Sequence, residues 1–182
     1  MTLEKIHSAE KEQICEQIYK NYIVKSSEIL LQYEDFANTA NKHLPCGCYT
    51  NFRDALFHFR KLVSSSEERE IECQAFAIKE HLSRTLTDAA SSIIDIIAFI
   101  AERLLKDSNI DIEHKRKVRK MLHQMKQAGL RKRFSGMMLS NDGIKIEHDE
   151  ILELIDNFFD FSNNNCREEF ARYSFEYVQE LE

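Results

Sequence analysis

One proline and four glycines stand in a chain of 182 residues, and this scarcity constrains the fold more than any other feature. Proline removes a backbone donor, and glycine costs a helix interior about 1 kcal/mol relative to alanine. Stretches that lack both can run as unbroken helix. A sheet-rich fold of this length would need many tight turns, and these two residues build most of them. The chain is therefore expected to be all-α.

The apolar periodicity supports this. Leu3, Ile6, Ile14, Ile18, Tyr22, Ile29, Tyr33, Phe36 and Ala40 recur at helical steps, marking one buried stripe on a long helix over residues 3 to about 42. Pro45 and Gly47 force a turn, and a short helix is expected from about Asn51 to Val63. Ser64 and Glu67 have the spacing of a capping box that starts the longest helix, which runs to about Asp107 with Ile78, Leu82, Leu86, Ala89, Ile93, Ile97, Ile100 and Leu104 on one face. At 1.5 Å per residue that helix is roughly 60 Å long, so the bundle is expected to be elongated. Asp111 opens a further helix, and the last two, Asp149 to Phe161 and Cys166 to Leu181, flank Ser162–Asn165, with Asn165 and Glu168 placed like a cap. Gly143–Ile146 could make one strand of a short β-hairpin near 137–147. The expectation is a single domain over 1–182, a bundle of about five to six helices, two of them very long.

No apolar block follows the first Met, and the most apolar run, Ile93 to Leu105, contains Asp95, Glu102 and Arg103. A secretory signal and a membrane span are therefore not expected. Five cysteines at irregular spacing suggest a reducing compartment, so a soluble cytoplasmic chain is expected. The net charge of −6 conceals an uneven distribution: His114 to Asn141 holds no acid but nine bases, Lys115, Arg116, Lys117, Arg119, Lys120, Lys126, Arg131, Lys132 and Arg133. The remainder carries 16 bases against 31 acids. A basic face of this kind attracts polyanions; the alternative is that it lies against the acidic rest of the protein. Val118, Met121, Leu122, Met125 and Leu130 give the same helix an apolar side. With Phe134 the one aromatic nearby, any RNA bound there is held through its phosphates.

The most informative segment is Asn51–Arg60. On a helical wheel Phe52, Leu56, Phe59 and Val63 share one face, expected to be the core side, with Ala55 and Leu62 beside it. Arg53, Asp54, Phe57, His58, Arg60 and Lys61 point the other way. Asp54 and His58 are i, i+4 neighbours, so the carboxylate can orient the imidazole. Phe57, exposed among charges, reads as an interface residue. Without a functional role, Arg53, Asp54 and His58 would be a solvated face carrying one surface pair.

Arg53-x4-His58, with polar Asp54 directly after the arginine, resembles the signature of the HEPN superfamily ("higher eukaryotes and prokaryotes nucleotide-binding"). The resemblance covers this helix and the all-α class. It implies a helical RNA-binding domain, in many members a metal-independent endoribonuclease, whose paired protomers bring Arg and His together in one composite site. Carried onto this chain, it makes Arg53 the phosphate holder, His58 the general base or acid on the ribose 2′-hydroxyl, and Asp54 the orienting residue. It further implies a homodimer, RNA as substrate and no metal or cofactor. The rival reading is a non-catalytic helical module for protein–protein interaction.

Lesser signals accompany this segment. His81, Arg84, Asp88, Ser92 and Asp95 form a polar stripe opposite the apolar face of the longest helix. As a solvated face it needs no function; as a functional stripe, it adds His81, Arg84 and Asp88 to the groove of His58. His43, Cys46 and Cys48 invite a zinc reading, but no second pair at metal-ligand spacing accompanies them. Cys15, Cys73 and Cys166 read as small core residues. No Gly-rich phosphate loop and no Gly-x-Ser-x-Gly elbow occurs, so neither nucleotide hydrolysis nor serine-hydrolase chemistry is indicated.

Overall fold

The first helical rod runs without interruption over residues 8–39 in a computed structural model that describes residues 8–40, 42–134 and 143–179. It consists of α1 (Ser8–Ile18), a π-helical stretch (Tyr19–Val24) and α2 (Lys25–Thr39), and the junction residues Ile18 and Val24 keep helical dihedrals. The wider π turn re-phases the stripe: Ile18, Tyr22, Ile23, Ser26, Ile29, Leu30, Tyr33, Ala37 and Ala40 are buried. Leu3 and Ile6 lie outside the described residues. Pro45 ends the following connection with an extended ψ of 141° and caps α3 (Cys46–Ser64). Helix α3 thus starts some five residues before the expected Asn51. The proline marks the helix start because a first turn does not use its missing N–H.

Ser64 completes α3, and its hydroxyl turns back to the carbonyls of Arg60 and Lys61. Glu67 takes the N-cap position of the next helix without a side-chain cap bond, and Ser65 braces the turn before it: its oxygen accepts from the Glu67 N–H at 3.4 Å and its hydroxyl donates to Glu70 Oε2 at 2.6 Å. Helix α4 (Glu68–Lys106) follows, 39 residues and about 58 Å long. It is the axle of the bundle, packing against α2 and α3 and against three later helices: α5 (Ile112–Phe134), α6 (Gly143–Asn165) and α7 (Arg167–Gln179). Fourteen of its residues are buried, among them Ile93, Ile94, Ile96, Ile97 and Ile100, which face more than one neighbour. Each large aliphatic side chain so buried contributes roughly 1.5–3 kcal/mol. The buried residues of all these helices join in one hydrophobic cluster. The all-α expectation of an elongated bundle holds: the described residues form six helical rods and no strand.

Asp111 caps α5 as expected, its Oδ1 accepting from the N–H groups of Glu113 (2.8 Å) and His114 (2.9 Å). Gly143–Ile146 belongs to α6, not to a hairpin strand: the helix they open runs on through buried Ile151, Leu152 and Ile155. The rest of the proposed hairpin lies outside the described residues. Ser162–Asn165 likewise stays helical; Asn165 donates to the Phe161 carbonyl at 2.8 Å, and only Cys166 separates α6 from α7.

Two polar contacts tie distant helices together. Where α4 ends, the Asp107 carboxylate accepts hydrogen bonds from the Tyr173 hydroxyl (2.6 Å), Arg172 Nη2 (2.5 Å) and the Asn109 N–H (2.8 Å). The Tyr173 bond, with the Asn109 N–H and the Arg172 charge, holds this carboxyl below the usual carboxylate range. In the core between α2 and α6, the Tyr33 hydroxyl lies 2.8 Å from His148 Nδ1, with both residues buried. Burial, helped by the Asp149 charge, raises the Tyr33 hydroxyl pKa well above its ordinary value. No helix among the described residues is long and apolar enough to cross a membrane.

Candidate functional site

Helices α3 and α4 pack antiparallel, and the seam between them is set by spacing. On α3 the residues facing α4 are Cys48, Asn51, Ala55, His58 and Leu62; on α4 they are Ile71, Gln74, Ile78, His81 and Thr85. Both sets alternate steps of three and four, the pattern of two helices meeting along one seam. Small and aliphatic residues close its ends, while Asn51, His58, Gln74 and His81 meet in its middle, each partly buried.

There the imidazoles of His58 and His81 stack, with ring centroids 5.2 Å apart and an interplanar angle of 21°. His58 Nδ1 lies 2.7 Å from Gln74 Oε1. An amide oxygen only accepts, so this contact requires the His58 proton on Nδ1 and leaves the Nε2 lone pair to act as a base. His81 Nδ1 lies 3.5 Å from Asn51 Oδ1, and the His81 carbonyl accepts from the Thr85 hydroxyl at 3.0 Å. Each imidazole is thus paired with an amide from the opposite helix.

Asp54 does not orient His58. Its Oδ1 accepts from Arg53 Nη2 (3.1 Å) and Nε (3.3 Å), because the His58 ring turns into the seam and leaves the neighbouring guanidinium as the nearer partner. Arg53 is exposed, its guanidinium turned to Asp54. Phe57 is exposed, meets the His58 ring edge-on at 5.9 Å, and carries the Lys61 ammonium 4.5 Å from its centroid. Of the α4 stripe only His81 joins His58. Arg84 is exposed and paired with Glu80 at 2.7 Å. Asp88 lies seven residues further along, in a groove with Pro45, Ser92, Asp95 and Tyr177.

The expected core face of α3 is corrected. Leu56 and Val63 are exposed, whereas Ala55 and Leu62 are fully buried. The apolar wheel alone favoured the larger side chains, but α4 approaches along the line of small Ala55 and Cys48, where two backbones can come close. Gln74 and Asn51 were not anticipated; the matching three–four spacings on both helices were the signal that could have found them.

The basic helix α5 buries Val118, Leu122 and Met125 and exposes Arg116, Lys117, Arg119, Lys120 and Lys126, with Lys115 half-buried. Lys117 sits 4.5 Å over the Phe161 ring, and Lys126 Nζ is 4.0 Å from Glu102. The side chains of Arg131, Lys132 and Arg133 lie outside the described residues. Glu102 stands 21 residues along α4 from His81, so the Lys126 contact lies about 32 Å along the axis from the histidines. Among the described side chains of the basic strip, none is brought to the histidine pair.

All five cysteines are free thiols; Cys73, expected in the core, is exposed, as is Cys46. Cys48 is buried, and burial together with the nearby Asp88 charge pushes its thiol up to about 11. A thiol so reluctant to ionise is a poor metal ligand. Among the described residues no three His, Cys, Asp or Glu side chains are grouped so that they could hold a metal ion.

No family model, no curated protein and no solved structure matches this chain.

Proposed function

We propose that this chain is an HEPN-like RNA-binding protein that cuts RNA without a metal, working as a pair of copies. The observation that carries the reading is the stacked pair His58 and His81, held by Gln74 and Asn51, with exposed Arg53 on the same helix as His58. Cleavage by the ribose 2′-hydroxyl needs a base for that hydroxyl, an acid for the leaving 5′-oxygen, and a cation beside the non-bridging oxygens. His58 Nε2 takes the 2′-hydroxyl proton as that oxygen attacks phosphorus. The second imidazole returns a proton to the departing 5′-oxygen, giving a 2′,3′-cyclic phosphate and a 5′-hydroxyl. Arg53 is the phosphate cation. Pairing of two copies would add a second guanidinium to each site.

The exposed bases of α5 supply phosphate contacts that carry no sequence information. The separation of Lys126 from the histidines corresponds to roughly ten nucleotides at a stacked spacing of 3.4 Å. An RNA bridging both therefore needs at least about that length.

The test is cleavage of a fluorescent single-stranded RNA panel in EDTA by the wild type and by His58→Ala. Cleavage by the wild type alone, leaving cyclic phosphate ends, supports the reading. Absence of cleavage by both, or equal cleavage by both, sinks it. The second reading, a non-catalytic helical interaction module, is favoured by one observation: the exposed apolar side chains of α3.

A further inference from the structure

A groove of about 540 Å³ opens where the end of α4 meets α7, and it gathers positive charge in a chain of net charge −6. That volume suits a small molecule. Arg103 and Lys106 reach it from the last turn of α4 and Arg172 from α7, beside the carboxylates of Asp107 and Glu176. Cations in a last helical turn offset the negative end of the helix dipole, which accounts for Arg103 and Lys106. It does not account for Arg172, which another helix brings.

Arg172 is held in place from below. The Asp107 side chain is only 6% exposed, whereas that of Arg172 is 50% exposed. Nη2 alone makes the guanidinium's hydrogen bonds, to Asp107 Oδ2 (2.5 Å) and the Tyr173 hydroxyl (2.8 Å), and the group lies 4.6 Å from the Tyr173 ring centroid. Nε and Nη1 make no hydrogen bond among the described residues, so their donors stay available on a fixed planar fork. Lys106 is exposed and has no carboxylate partner among the described residues. Asp107 is saturated by Tyr173, Arg172 and the Asn109 N–H. Glu176, half-buried, makes no hydrogen bond or ion pair among the described residues.

These groups select the ligand. Cations converging from two helices fit a dianion with several acceptor oxygens, which a terminal phosphate supplies and a single carboxylate does not. Glu176 repels a bare anion, so the ligand has to bring a donor as well, and a sugar hydroxyl serves.

We infer that the groove between the end of α4 and α7 binds a sugar phosphate, its phosphate on Arg172 and Lys106 and a hydroxyl on Glu176. The sugar is a free molecule or the 5′-phosphorylated end of an RNA. The inference is independent of the cleavage chemistry, since the groove shares no residue with the histidine pair.

The test is calorimetry on the full chain at constant ionic strength with ribose 5-phosphate, inorganic phosphate and ribose. Ribose 5-phosphate should bind at least about tenfold tighter than either of the others. Lys106→Gln, which breaks no contact within the chain, and Arg172→Gln should each weaken it at least about tenfold with the helical circular dichroism unchanged. Glu176→Gln should instead strengthen binding of inorganic phosphate and narrow its gap to ribose 5-phosphate. Fluorescence anisotropy then compares one RNA with a 5′-phosphate and with a 5′-hydroxyl. A gain of at least about tenfold from the phosphate, lost in Lys106→Gln, assigns the groove to RNA ends. Equal binding of the two RNAs, with ribose 5-phosphate bound as expected, assigns it to a free sugar phosphate. The inference is overturned if neither ribose 5-phosphate nor the RNA 5′-phosphate is bound, or if inorganic phosphate binds as tightly as ribose 5-phosphate. Binding by Lys106→Gln and Arg172→Gln equal to that of the wild type overturns it too.

Discussion

His58 Nδ1 stands 2.7 Å from Gln74 Oε1, a contact between the middle of α3 and the first third of α4 that turns the imidazole into the seam. It takes His58 from Asp54, its neighbour one helical turn away, and delivers it to His81. The proposed chemistry depends on this relationship more than on the Arg53–His58 spacing.

Replacing Gln74 by Leu should therefore lower kcat for RNA cleavage while leaving KM nearly unchanged, because the amide touches the base and not the substrate. Gln74→Glu, which keeps an acceptor at the same place, should retain more activity than Gln74→Leu. His58→Ala and His81→Ala should each cost about 10²- to 10⁴-fold, and the double variant little more than the worse single one. A Gln74→Leu variant altered in KM alone would show that the amide positions nothing.

RNA affinity should fall steeply with salt. Single-stranded RNA loses about 0.7 units of log–log slope per phosphate contact removed. The variant Arg116→Gln/Arg119→Gln/Lys120→Gln should thus flatten the slope by about 2, equally for unrelated RNA sequences. An unchanged slope would remove α5 from the RNA surface.

Asp107 predicts an acid-side loss of stability. Its carboxyl titrates below the ordinary value of 3.8 in the folded chain, so on acidification the unfolded chain takes up this proton first. The stabilisation is full above the ordinary value and disappears as pH falls through the depressed one. Asp107→Asn should have a lower urea midpoint than the wild type near neutral pH, and the difference should shrink as the pH is lowered below about 4. A gap that stays constant with pH would show that Asp107 acts by packing alone.

Tyr33→Phe removes the hydroxyl from His148 without opening a cavity. The buried imidazole nitrogen loses that partner, and unfolding free energy should drop by roughly 1–3 kcal/mol. Urea unfolding measures it, and a loss under roughly 0.5 kcal/mol would mean that the contact contributes no more than an exposed one.

The helices were legible because their cause is local. Scarce proline and glycine, the Asp111 cap and the apolar stripes of α2 and α4 act within a few residues, and the structure repeats them with small shifts at Ser65 and Cys46. Legibility failed where two apolar faces competed on one helix. On α3, Phe52, Leu56, Phe59 and Val63 outweigh Cys48, Ala55 and Leu62 in hydrophobicity, yet the smaller set is buried. Hydrophobicity says that a face avoids water; it does not say which neighbour arrives or how near it can come.

The sequence by itself thus determined the element types, their approximate limits and the segregation of positive charge onto α5, since each follows from short-range propensity and composition. Only the tertiary structure decided that His58 meets His81, that Asp54 binds Arg53, and that the basic strip lies far along α4 from the histidines. Those relations depend on the rotation and register of one helix against another. Packing sets both, through side chains that are dozens of residues apart in the chain.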